Sequence, residues 1–264
     1  MLDRPILLHI HGGGFSSFAT RTCLRRAWVS GVLKRADAVC VVNQQTQKAI
    51  HQLRPTARTI VLPNPATMLC GRLTDPESRQ VLFLGRLGLT KGTDTLLEAI
   101  ARLQLARIEA DYVLAGDGDV EGARLTASQP PAPDRVKVTG WLDPPNVHRL
   151  LHRSSIFCLP SRFEGLPMAL LQAMGHGLAC IVTPVGGMRE VVGNGVSGIH
   201  VHEDDPEGLA VAIGSLLGDA ALRASLGRAA ARRVAQSHAP DRFAQRLDGV
   251  YSDILVRRRE HAVT

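Results

Sequence analysis

Of 264 residues, 45% are hydrophobic and 21% charged, an ordinary globular balance, and no uncharged apolar run approaches the roughly 18–20 residues that cross a bilayer as a helix. The net charge of +7 suits phosphorylated ligands, an anionic membrane face or nucleic acid. With only 4% aromatics and no basic patch interleaved with them, single-strand nucleic-acid binding is disfavoured. Cys23, Cys40, Cys70, Cys158 and Cys180 form no C-x-x-C pair, and Cys40, Cys158 and Cys180 sit in apolar runs. The expected state is therefore reduced and cytoplasmic, with core thiols rather than disulfides or zinc ligands. The opening stretch has neither the basic region nor the apolar length of a signal peptide.

In chain order, short apolar runs at 5–10, 37–42, 58–62, 81–84, 112–115, 135–139, 156–159, 179–183 and 198–201 read as strands. Most are apolar on both faces, as buried parallel strands are. Helical patterns occupy 93–105, 146–152, 167–174, 206–217, 220–236 and 241–256. This alternation implies βαβ units with right-handed crossovers. The polar stretch 71–80 reads as a linker, and the Pro-rich 129–133 as a short rigid loop. The predicted organisation is α/β, with two Rossmann-like parallel-sheet domains and a closing helix. Residues 1–72 hold only three strands and so make an incomplete domain; residues 73–238 hold five or six; residues 239–264 carry the helix.

Four strand-end segments carry chemistry. His11-Gly12-Gly13-Gly14-Phe15 follows the first strand. It matches the oxyanion loop of lipase-like hydrolases, but no G-x-S-x-G elbow exists; the nearest, Gly195-Val196-Ser197-Gly198-Ile199, lacks the final glycine. The alternatives are a ligand loop in which glycines let a ligand approach the backbone, with His11 beside it, and a plain glycine-rich turn. Gly85-Arg86-Leu87-Gly88-Leu89-Thr90-Lys91-Gly92 places two cations at a carboxyl strand end, where they can straddle a diphosphate; a solvated Arg and Lys is the plain alternative. Gly116-Asp117-Gly118-Asp119 is acidic enough to repel a pyrophosphate and reads as a polar loop, with no metal assigned. In Ser161-Arg162-Phe163-Glu164-Gly165-Leu166-Pro167-Met168, Gly165 permits a sharp turn and Pro167 suits a first helical turn. The free N–H groups near Leu166 and Met168 then form an anion site, with Glu164 just outside it and Gln172 further along.

Together these segments resemble family-4 glycosyltransferases, whose GT-B fold sets two Rossmann-like domains face to face. The likeness runs from the strand before His11 onward. It includes strand-GRL-x-x-x-KG at 81–92, strand-AGDG at 112–118, the strand and glycine before Trp141, S-x-x-E-G-x-P at 161–167 and the T-x-x-G-G-x-x-E turn at 183–190. The resemblance implies that Arg86 and Lys91 bind the nucleotide diphosphate, that Glu164 contacts the donor sugar and that His11 sits beside the reacting sugar. Gly12, Gly13, Trp141, Gly165, Leu166, Pro167 and Gln172 complete the implied donor site. Gln172 stands where the family has a second acid, which weakens the expected hold on the ribose. Further strands that normally open the family's first domain have no counterpart before Met1, so that domain is expected to be shortened, with the final helix crossing back to brace it. The implied activity is retaining, metal-independent and cofactor-free transfer from a nucleotide-diphosphate sugar to a glycan or lipid-linked acceptor. No nucleic acid is expected, and the implied site of action is the cytoplasm, with peripheral contact to the anionic inner membrane face. The rival is a shortened module that binds a nucleotide sugar and transfers nothing.

Overall fold

Every apolar run singled out above contains a strand in a computed structural model of the chain, which describes residues 4–66, 78–130 and 135–263, with side chains to 260. The boundary at 72/73, linker residues 71–77, Cys70 and loop residues 131–133 lie outside the described residues. The strands form two sheets, and each recorded strand pair is parallel.

The first sheet has the order β1-β2-β3 and is built from β1 (Leu7–Ile10), α1 (Phe15–Thr20), α2 (Cys23–Arg35), β2 (Ala38–Val41), α3 (Gln44–Leu53) and β3 (Thr59–Val61). The middle strand β2 is wholly buried and its neighbours are half-buried. Periodicity had not pointed to these three helices. In α2 the inward Val29 and Leu33 are offset by outward Leu24 and Trp28, so no single apolar stripe marks it. Thr22 and Asn43 cap α2 and α3 by accepting hydrogen bonds from the N–H groups of Arg25 and Thr46.

The second sheet is built from β4 (Gln80–Leu84), a 3₁₀ turn at Leu89–Lys91, α4 (Thr93–Leu105), β5 (Asp111–Ala115), α5 (Val120–Ala127), β6 (Val136–Gly140), α6 (Pro144–Arg153), β7 (Ile156–Leu159), α7 (Met168–Gly175), β8 (Ala179–Val182), α8 (Met188–Val191) and β9 (Ile199–His200), followed by α9 (Pro206–Gly218) and α10 (Ala220–Ser237). Its order is β6-β5-β4-β7-β8-β9. The chain leaves β4 in one direction and resumes at β7 in the other, so the topological switch point lies between the carboxyl ends of β4 and β7. Helix α5 is short and has no counterpart among the helical patterns of the sequence, whereas α8 follows the T-x-x-G-G-x-x-E turn as the resemblance implies.

The last helix, α11 (Pro240–Val263), lies on the first sheet. Val250 and Ile254 pack with Ala38, Cys40 and Leu62, flanked by Phe243 and Leu247. Full burial of side chains of this size is worth about 1.5–3 kcal/mol each. Arg258 adds an ion pair to Asp37 at 2.8 Å, and this guanidinium holds the Asp37 carboxyl below its ordinary range. Cys40, Cys158 and Cys180 are buried, and burial pushes their thiols upward, which suits core packing rather than nucleophilic chemistry. Among the described residues no single helix is long and apolar enough to cross a membrane.

Two imidazoles in this framework make stability depend on pH. His176 and His238 are buried, and burial is the largest cause lowering both below the ordinary histidine value. A folded-state pKa below the unfolded one favours the neutral ring. The associated stability is full above about 6.5 and is lost as the pH falls below that value. The denaturant midpoint should therefore drop between pH 7 and 5, and less steeply in a His176→Gln variant; a flat profile in the parent chain would count against this account.

Candidate functional site

The two loops flanking the switch point supply the charged centre. Gly92 closes the loop after β4 in a left-handed conformation, φ 69°, beneath the backbone of Pro160; a Cβ there would lie 2.0 Å from the Pro160 carbonyl oxygen. Lys91 is thereby carried beside the loop that follows β7. Its Nζ lies 2.5 Å from Glu164 Oε1, and the hydroxyl of Ser161 donates to the same oxygen at 2.8 Å. The Glu164 side chain is only 6% exposed and that of Lys91 25%, so this is an ion pair largely withdrawn from water. Arg162 holds the same loop from behind, bonding both oxygens of Asp94 at 2.9 and 2.7 Å and pairing with Asp204 at 2.5 Å. These bonds lower the Asp94 carboxyl.

The first sheet meets this centre with its own carboxyl strand ends. After β2, Asn43 Nδ2 donates to the carbonyl of Gly165 at 2.9 Å while its Oδ1 caps α3. After β3, Asn64 Nδ2 donates to the carbonyl of Leu166 at 2.8 Å. That orients Asn64 Oδ1 toward His11 Nδ1, 3.1 Å away after β1. The oxygen can only accept, so Nδ1 of His11 carries the proton and Nε2 is left as the basic nitrogen. Two more bonds cross between the sheets' loops, from Gln44 N–H to Glu190 Oε1 at 2.8 Å and between His238 Nδ1 and the Asn64 carbonyl at 2.9 Å. The Asn43 and Asn64 amide bonds both end on the segment Glu164–Leu166.

A cleft of about 500 Å³ opens at this junction, lined by His11, Gly12, Gly13, Lys91, Glu164, Gly165 and Leu166 together with Gly14, Ser17, Thr90 and Phe163. A neighbouring hollow of about 760 Å³ shares Gly13, Phe163 and Glu164 and runs between α3 and the 184–190 turn past Lys48 and Arg189. Seven of the predicted site residues thus meet in one place. Four do not line the cleft. Arg86 lies in the Lys91 loop, exposed and without an ion-pair partner among the described residues. Trp141 follows the outer strand β6 and is 72% exposed. Gln172 is half-buried one turn into α7, where its main-chain carbonyl pairs with His176 Nδ1 at 2.8 Å. Pro167 is the N-cap residue of α7 and not part of its first turn, with ψ 129°. Asn43 and Asn64 engage the carbonyls of Gly165 and Leu166, Pro167 is extended, and α7 begins at Met168. No side chain caps α7, so its first-turn N–H groups remain available to an anion. Asp119, by contrast, caps α5 at Gly122 N–H, 3.0 Å away, which gives the acidic loop a local structural role.

Sequence reading places Ser161 in the S-x-x-E-G-x-P segment and Asn64 in a P-N-G/P segment that resemble the family, without giving either a role, and does not single out Asn43, Arg162 or His238. Asn43 carries a legible helix-cap signal, but its second bond, to a residue 122 positions away, has none.

A model of the family glycosyl transferases group 1 matches residues 72–233. The chain belongs to this family. Glycogen synthase of Mycobacterium tuberculosis is 30% identical over 251 residues, covering 88% of this chain and 59% of that protein. N-acetyl-alpha-D-glucosaminyl L-malate synthase of Bacillus anthracis is 29% identical, covering 95% and 68%. The chain spans about half the length of several of the curated relatives it matches. The crystal structure of Anabaena HepE in complex with UDP-glucose superposes with a TM-score of 0.82 at 20% identity, over 95% of this chain and 72% of that one. The fold is thus α/β of the GT-B type, with Rossmann-like parallel sheets.

Proposed function

We propose that this group 1 family member transfers a sugar from a nucleotide-diphosphate sugar to a glycan or lipid-linked acceptor with retention of anomeric configuration. The observation that carries this reading is the Lys91–Glu164 pair at the switch point, with His11 of the opposing sheet lining the same cleft. The leaving diphosphate gains negative charge as the glycosidic bond breaks. Lys91, Arg86 and the uncapped N-terminus of α7 supply positive charge and N–H donors there, without water having to reorganise. Glu164 accepts from donor-sugar hydroxyls, and the hollow past Lys48 and Arg189 receives the acceptor. Relatives support the same reading: the HepE structure is a complex with UDP-glucose, and the two relatives above are a glycogen synthase and an N-acetyl-alpha-D-glucosaminyl L-malate synthase.

Calorimetry with UDP-, GDP- and ADP-sugars tests donor binding, and NMR of the product anomer tests retention. Absence of binding across the panel would remove the donor role; an inverted anomer would remove retention alone. Gln172→Glu should strengthen donor binding about threefold to tenfold, because an ionised acceptor makes hydrogen bonds roughly twice as strong as a neutral one. The gain should vanish with a 2′,3′-dideoxy nucleotide. Equal or weaker binding would show that residue 172 does not face the ribose.

A further inference from the structure

We infer that Arg162 is a positioning residue that sets the distance between Lys91 and Glu164 for sugar transfer, an inference that rests on the function proposed above. Its backbone belongs to the loop that carries Glu164, two positions on. Its contacts grip the chain on both sides of Lys91. Before Lys91, the Arg162 N–H donates to the Thr90 carbonyl at 3.0 Å, and the guanidinium donates to the Leu89 carbonyl. After it, the same guanidinium forks onto both oxygens of Asp94, in the first turn of α4. One residue thus clips together the two segments from which Lys91 Nζ and Glu164 Oε1 reach each other at 2.5 Å.

A third loop is drawn onto the same group. Asp204, after β9, pairs with the guanidinium and holds φ at 55°, a left-handed conformation uncommon for a residue with a side chain. Such a conformation persists where surrounding contacts hold it. Its neighbour Glu203 and Arg162 itself both line the hollow beside the charged centre. A planar fork of donors suits this place, because lysine's compact ammonium cannot span both Asp94 oxygens and still reach Asp204 and the Leu89 carbonyl. The carboxylates of Asp94 and Asp204 are exposed, so these ion pairs add little to global stability. Their larger effect is on geometry, since a displacement of about 1 Å at a reacting centre costs on the order of 100-fold in rate.

The test uses variants of the full chain, read by steady-state kinetics, denaturant titration and lysine NMR. Arg162→Ala should lower kcat about 10-fold to 100-fold while donor KM stays within about threefold and the denaturant midpoint stays near the parent's. Arg162→Lys should remain at least about fivefold below the parent, because the charge returns without the fork. Millimolar guanidinium should raise the turnover of Arg162→Ala at least about fivefold, since the vacated place opens on the hollow and the ion restores the lost donors. A side chain that only supports the fold is not rescued by a denaturing ion. The chain's lysines are Lys34, Lys48, Lys91 and Lys137, so the ammonium signal of Lys91 is assigned with Lys91→Arg; it should move in Arg162→Ala with no substrate present. If Arg162→Ala does not fold, Asp204→Asn replaces it in the NMR measurement and should lower kcat about threefold, having lost one of the guanidinium's two carboxylate partners. The inference is overturned by parental kcat in these variants, by full restoration with lysine, by absent guanidinium rescue or by an unmoved Lys91 signal. Failure of the parent chain to transfer sugar from any donor removes the function proposed above instead, and the Lys91 signal then decides by itself whether Arg162 sets the pair.

Discussion

Gly165→Ala should lower kcat/KM by about 100-fold or more while the chain still folds. A Cβ built on Gly165 falls 2.1 Å from the carbonyl oxygen of His11 and 3.3 Å from the N of Gly13. Across the same junction a Cβ on Gly13 would fall 2.2 Å from the carbonyl carbon of Glu164. These neighbours are backbone atoms, which cannot swing aside as a side-chain tip can. One added methyl must therefore separate the His11 loop from the Glu164 loop by more than an ångström. Displacement on that scale at a reacting centre costs on the order of 100-fold, whereas the overpacking itself costs about 1–3 kcal/mol of stability. Steady-state kinetics beside a denaturant titration separates the two effects. Gly14→Ala is the comparison, since its Cβ meets only Ser17 Oγ at 3.8 Å and should cost far less. Near-parental turnover by Gly165→Ala would show that the two loops need not touch for catalysis.

Lys91→Ala should destabilise the chain by about 2–4 kcal/mol as well as weaken donor binding, because it strands the Glu164 carboxylate, 6% exposed, with Ser161 as its remaining recorded side-chain partner. Glu164→Gln should cost less stability, since Lys91 can turn its charge toward water while the amide still accepts from Ser161. Combining the two should give a chain more stable than Lys91→Ala alone, because the stranded charge is gone. Both single variants should lose transfer by two or more orders of magnitude, having lost either the diphosphate cation or the sugar-facing carboxylate. Arg86→Ala separates the roles. Arg86 is exposed and unpaired among the described residues, so its loss should weaken nucleotide-diphosphate binding by about 1.5–3 kcal/mol and leave stability unchanged. Equal stability of Lys91→Ala and the double variant would show that the pair contributes nothing to the fold.

Much of this site was legible along the chain. Buried parallel strands announce themselves as short runs apolar on both faces, and a loop directly after such a strand must emerge at the carboxyl edge of the sheet. That rule alone places His11, Arg86, Lys91 and Glu164 at strand ends. Helices were readable where one face is apolar, as in α4. They were not readable in α2, whose inward Val29 and Leu33 are balanced by outward Leu24 and Trp28.

The pairing of Lys91 with Glu164 could not be read in the same way. Each residue alone suggests a separate ligand contact, and only the order β6-β5-β4-β7-β8-β9 brings the two loops side by side. Asn43 and Asn64 show the limit most clearly. An asparagine amide has donors and acceptors that suit a cap, a turn or solvent equally well, so its residue type does not choose a partner. The partners, the carbonyls of Gly165 and Leu166, lie 122 and 102 positions away. Local sequence determined which residues stand at strand ends and where glycine is needed. Tertiary structure decided which strand ends face each other, because hydrogen bonds and ion pairs across a cleft depend on distances that strand pairing and helix packing set.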